Sequence, residues 1–128
     1  MNLKTLSHTL IVLALAGCAS SGGTPVKPVP PSAASLDDAQ IRSALVGNKL
    51  TNIKKPASMS FKADGTEFFS GADGYSATEH WTVKDGVLCI AAKGYATECQ
   101  RVKVDNRDVW FVDPGSGEVK SQYILTPL

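Results

Sequence analysis

The stretch DGVLCIAAKGYATECQRVKVDN, residues 85–106, decides the fold. It opens on Asp85 and Gly86 and closes on Asp105 and Asn106, dipeptides that fill tight hairpin turns because they tolerate a left-handed backbone. Between them lie two strand-like runs, Val87 to Ala92 and Thr97 to Val104, joined by a turn at Lys93 to Tyr95. A hairpin closed at Gly94 sets Cys89 directly across from Cys99, Leu88 across from Gln100 and Ile90 across from Glu98. That register puts apolar Leu88 and Ile90 on one face with Gln100 and Glu98, and Val102 and Val104 share the latter face. A bulge near Gln100 and Arg101 would move the valines to the other face relative to Cys99, and such a bulge is expected here.

Outward from this hairpin the same punctuation continues. Asp64 with Gly65, Asp73 with Gly74, and Pro114 to Gly117 mark further turns, at intervals of about ten residues. The strands predicted between them are Lys49 to Ile53, Ser58 to Ala63, Thr66 to Ser70, Ser76 to Lys84, Val87 to Ala92, Thr97 to Val104, Asp108 to Asp113 and Val119 to Leu125. Strands at this spacing form an antiparallel meander, which must curl to bury one face. The expected fold is therefore mainly β, a small barrel or half-barrel. One short helix is expected before it, from Leu36 to Val46. Ser35 and Asp38 have the spacing of a capping box, and Ile41 and Leu45 fall on one helical face until Gly47 and Asn48 stop the pattern.

Upstream the composition changes twice. Residues 19–34 are rich in Ser, Gly, Ala and Pro, with Pro25, Pro28, Pro30 and Pro31 close together. Such a stretch favours extended polyproline backbone at ~3.1 Å per residue and reads as a tether of up to ~50 Å. Before it, Lys4 gives a positive start, Leu10 to Ala16 is an unbroken apolar run, and Ala16 and Gly17 precede Cys18, the layout of an export signal. The run is too short to cross a bilayer core, which takes about 20 helical residues, so the segment reads as one that is removed. Leu15 to Cys18 resembles a bacterial lipobox. The resemblance implies a diacylglycerol on the Cys18 sulfur, cleavage before it and acylation of the new amine. Two or more acyl chains at ~0.8 kcal/mol per buried methylene make a stable anchor. Ala19 and Ser20, with no aspartate after the cysteine, resemble the sorting signal for the outer membrane, with the domain facing the periplasm. The expected division is a signal peptide at 1–17, a lipidated tether at 18–34 and a β-domain at 35–128.

Removing residues 1–17 takes one lysine and no acid from a chain with 13 basic and 12 acidic residues. The balanced remainder has no electrostatic reach toward nucleic acid. Export carries the chain into oxidising surroundings, where Cys89 and Cys99 are expected to be joined. The competing readings are a redox pair or a metal site, but neither finds a CxxC spacing or a companion histidine.

A further likeness rests on Ile41 to Leu50 (IRSALVGNKL), the Asp64 and Gly65 turn, Trp81 with Val83, DGVLC at 85–89, Cys99 with Val102, and WFVDPG at 110–115. In that order these residues resemble a family of small exported proteobacterial proteins known only as a domain of unknown function. The resemblance implies a lipocalin-like β half-barrel with a paired cysteine bridge and no assigned reaction.

Catalytic constellations are sparse. His80 lies between Glu79 and Trp81 on a strand, where neighbours point to opposite faces, so Glu79 cannot orient its imidazole. Asp64, Asp73, Asp85, Asp105 and Asp113 sit at turns, where aspartate bonds its own backbone. No calcium loop, no phosphate-cradling glycine loop and no cofactor motif is present. The aromatic residues are the better candidates for recognition, above all Phe69, Tyr75, Trp81 and Trp110. The preferred expectation is a non-enzymatic, membrane-anchored accessory module that binds an envelope protein or a cell-wall component. The alternative is a carrier or sensor of a small apolar ligand, which a cavity of about 300 Å³ or more lined by aromatics would favour. An envelope hydrolase would need two titratable groups converging in one cleft, and no such pair is legible.

Overall fold

The computed structural model describes residues 26–128. The signal segment, Cys18 and the start of the tether lie outside the described residues. One helix, α1 (Asp38–Leu45), precedes eight strands: β1 (Asn48–Asn52), β2 (Ser58–Phe61), β3 (Thr66–Ser70), β4 (Ser76–Lys84), β5 (Val87–Ala91), β6 (Glu98–Asp105), β7 (Asp108–Val112) and β8 (Val119–Pro127). Each strand pairs antiparallel with the next, and β1 pairs with β8, so the sheet closes into a barrel. The predicted mainly β meander with one short helix is thus what forms, closed rather than half-open.

The turns do what their residues require. Asp85 and Gly86 both have positive φ, 53° and 72°, as a two-residue hairpin loop demands. Gly86 has a second reason to be glycine, since a Cβ there would lie 3.3 Å from the Leu36 carbonyl oxygen. Its N–H donates to Asp38 Oδ1 at 2.6 Å, fastening the start of α1 to the β4–β5 turn. Asp64 accepts from the Thr66 N–H, and Asp113 accepts from the N–H groups of Gly115 and Ser116.

The helix start differs from expectation. Asp37 is the N-cap: its carboxylate accepts the Gln40 N–H at 2.8 Å, and the Gln40 side chain accepts the Asp37 N–H at 2.9 Å. The reciprocal box therefore forms two residues after Ser35, whose backbone is taken up by an antiparallel bridge to Lys103. Ile41 and Leu45, both fully buried, enter the core with Leu50, Phe61, Trp81, Leu88 and Val102. Each such side chain contributes about 1.5–3 kcal/mol by leaving water. Arg42 lies 5.2 Å over the Trp81 ring, and Asn48 Nδ2 donates to the Ala44 carbonyl at 2.8 Å. α1 thereby plugs one end of the barrel.

In the deciding hairpin, Leu88 pairs with Gln100, Cys89 with Cys99 and Ile90 with Glu98. Cys89 and Cys99 form a disulfide across 4.1 Å of Cα separation. The expected bulge at Gln100 and Arg101 does not occur. Gln100 instead stays on the inward face with Val102, buried, its Oε1 accepting from Lys120 Nζ at 3.4 Å. The interior at this level accommodates a polar group, which removes the reason to shift register. The register break falls between Phe111 and Val112, against β8.

The tether reading needs a correction for residues 26–34. Lys27 donates its N–H to Gln122 Oε1 at 3.0 Å, and its carbonyl accepts from Trp110 Nε1 at 3.0 Å. Lys27 Nζ pairs with Asp108 at 2.7 Å and Asp105 at 3.8 Å, and Ala33 is buried. This segment is a strap along the outer wall of the barrel. It explains why β7 is buried at consecutive positions from Val109 to Val112 instead of alternating. Proline content said that the segment could be extended; it did not say that Trp110 and Gln122 offer hydrogen-bond partners to hold it.

Candidate functional site

At the barrel end away from α1, a cavity of about 520 Å³ opens. The alternation of strand residues builds it: positions that face inward at the α1 end are Val83, Trp81 and Val102, and one step further along the same strands come Glu79 and Gln100. Met59, Phe69, Ile90, Phe111 and Tyr123 supply its apolar wall. Phe111 and Tyr123 pack with ring centroids 4.8 Å apart, and Phe69 meets Tyr75 edge-on at 6.0 Å. Gly71 permits the Phe69 position, because a Cβ there would come within 2.9 Å of its ring. Tyr75, 49% exposed, and Tyr95, 71% exposed, contribute to the wall from the solvent side.

The inner part of the cavity is polar. Glu79 and Gln100 line it, as does the exposed Glu98. Behind Glu79 lies Glu67, its direct cross-strand partner on β3, with 0% exposure. On its other side Glu67 pairs with Phe61, whose ring stacks edge-on against Trp81 at 5.7 Å. Both Glu67 carboxyl oxygens lack a donor among the described residues, and so does the Gln100 side-chain nitrogen an acceptor. Burial pushes the Glu67 carboxyl up to about 9, the negative charge of Glu79 pushes the same way, and the protonated acid donates to Glu79. At neutral pH Glu67 therefore holds its proton. Burial also raises the Tyr123 phenol, with the charges of Glu98 and Glu67 adding to it.

Of the four aromatics expected to form a contact surface, Phe69 and Tyr75 meet at this cavity. Trp81 and Trp110 do not. Trp81 is 3% exposed and donates its indole N–H to the Lys62 and Thr66 carbonyls inside the fold. Trp110 is 1% exposed beneath the strap. Both are corrected from contact residues to core residues, because a tryptophan whose N–H finds a backbone carbonyl is fully satisfied indoors. His80 is exposed on the outer face of β4, away from Glu79, as its strand position predicts. Cys89 and Cys99 are spent in the disulfide, and Cys18 lies outside the described residues. Among the described residues no three His, Cys, Asp or Glu side chains come together as a metal site needs.

Sequence reasoning missed Glu67, Glu79 and Gln100. The signal was present in the alternation: Glu79 is two residues from Trp81 and shares its face, and Glu67 is two residues from Phe69. The statement that no pair of titratable groups converges is corrected by the Glu67 and Glu79 contact. Glu67 itself has no exposed surface, so of these two acids Glu79 alone lines the cavity. Searches of protein-family models, curated proteins and solved structures found no match to this chain.

Proposed function

We propose that this is an exported envelope lipoprotein, anchored through Cys18 in the outer membrane and facing the periplasm, whose barrel carries or senses a small amphipathic molecule in its open end. The observation that carries the ligand-binding part is the cavity of about 520 Å³ with aromatic walls and the unpartnered, buried Gln100 side-chain nitrogen at its inner end. It falls within the ~300–1,000 Å³ range of small-molecule sites, which are mostly apolar with a few placed polar groups. Two of the four aromatic residues expected at a contact surface, Trp81 and Trp110, are buried, while Phe69 and Tyr75 line the cavity, which favours the carrier reading over an adaptor for an envelope protein or cell-wall component. Binding rather than catalysis is the proposed role, since the wall is mostly aromatic and apolar.

The test uses the full chain carrying Cys18→Ser, so that no detergent competes. The neutral dye N-phenyl-1-naphthylamine should brighten on binding and saturate at one molecule per chain, and Phe69→Ala should weaken it several-fold. Absence of a saturable signal would overturn the cavity reading. The anchor is tested separately on the unaltered protein: the N-terminal peptide from cells should carry a diacylglyceryl group and an acyl chain at Cys18, and a bare terminus would remove the anchoring part.

A further inference from the structure

We infer that the ligand's polar end is an ammonium group, seated on Glu79 with Glu67 behind it, so that the cavity selects amphipathic amines over alcohols and fatty acids of the same length. This rests on the cavity reading above and specifies its ligand class.

The argument begins with what faces the two acids. On β2 the neighbour of Glu67 is Phe61, which offers no hydrogen bond; on β4 it is Glu79; at the cavity level β6 contributes Glu98 and Gln100, and β8 contributes Tyr123. Lysines do stand at this end of the barrel. Lys120, however, donates to the Cys99 carbonyl at 3.3 Å and to Gln100 Oε1, not to either acid, and Lys55 makes no ion pair. Among the described residues the ion pairs are those of Lys27 with Asp105 and Asp108, on the outer wall. Two carboxyls directly opposite one another are thus left with no cation, in a place where like charges cost stability.

A fatty acid would bring a third carboxylate to Glu79 and Glu98 and is disfavoured. A metal ion is poorly served, because among the described residues no three His, Cys, Asp or Glu side chains come together to hold one. An alkylammonium fits both parts of the wall: its chain lies on Met59, Phe69 and Phe111, and its head meets Glu79. The unpartnered Gln100 nitrogen would donate to an oxygen on the ligand near that head. The proton balance is explicit. In the empty site Glu67 holds its proton; the arriving ammonium brings a positive charge beside it, Glu67 ionises, and the proton passes to solvent. Binding therefore releases up to one proton per ligand near neutral pH.

The Cys18→Ser chain is titrated at pH 7.5 with decylamine, decanol, decanoate and calcium chloride, reading displacement of N-phenyl-1-naphthylamine. Calorimetry in two buffers of different ionisation heat counts protons. Decylamine should displace the dye at least tenfold more tightly than decanol, with decanoate weaker still and calcium without effect, and should release a proton. Glu79→Gln should bring decylamine to the level of decanol while leaving decanol unchanged, and Glu67→Gln should abolish the proton release. If decanol and decanoate compete as well as decylamine, or if calcium displaces the dye, the ammonium assignment is wrong and the cavity reading stands. If none of the chains competes and the dye itself does not bind, the cavity reading has failed first.

Discussion

Glu67→Gln should flatten the dependence of stability on pH. Folding places Glu67 between Phe61 and Glu79, and burial first, then the Glu79 charge, pushes its carboxyl to about 9 from an ordinary 4.5. Over that interval the folded chain holds a proton that the unfolded chain has lost. Because the native state binds more protons there, stability is fullest below about pH 4.5 and falls as pH rises toward about 9. One proton corresponds to at most about 1.4 kcal/mol per pH unit, so moving from about pH 6 to about pH 8 removes up to about 3 kcal/mol. For a domain of this size that lowers Tm by roughly 10–20 °C. Glutamine keeps the shape of the protonated acid and can still donate to Glu79, but it has no proton to lose. Thermal unfolding followed by circular dichroism at the two pH values, on both proteins with the disulfide intact, gives the comparison. The two proteins differ at this one side chain alone, so the difference isolates Glu67. A variant whose Tm falls with pH as steeply as the parent's would refute the reasoning.

Two other outcomes follow from packing. Trp110→Ala removes a side chain buried under the strap and its hydrogen bond to the Lys27 carbonyl, and should cost about 3–5 kcal/mol in denaturant unfolding while leaving dye affinity unchanged. A variant that unfolds at the parent's midpoint would show that the strap does not hold in solution. The double change of Cys89 and Cys99 to serine should lower stability by roughly 3 kcal/mol, with the sheet still forming because its register is set by the strands on both sides; loss of all strand signal in circular dichroism would show that the bridge specifies the fold as well.

The strands were legible because Asp–Gly and Asp–Asn dipeptides mark four of the seven connections between them, and turn chemistry is local. The pairing of Cys89 with Cys99 was legible for the same reason: a tight turn fixes register over the next few residues. What depends on the barrel's closure was not. Gln100 looked misplaced among apolar neighbours and invited a bulge, yet the inward face turns polar partway along the strands, and only the assembled barrel shows where that change occurs. Glu67 in TEFFS and Glu79 in TEHW carry no local mark of a site, since nothing local says that β3 and β4 set them opposite each other. Trp110 read as a contact residue because the strap that covers it is composed like a linker, and the hydrogen bonds that dock it join residues 83 and 95 positions apart.

The pairing of β1 with β8 restricts how this domain can meet other polypeptides. An open sheet offers a row of free N–H and C=O groups at its margin, onto which a foreign strand can hydrogen-bond, and many recognition modules and aggregates grow that way. Here the cylinder has consumed both margins. A protein that associates with it must do so through side chains or loops, and self-association into stacked ribbons would first require the seam between Asn48–Asn52 and Tyr123–Pro127 to part.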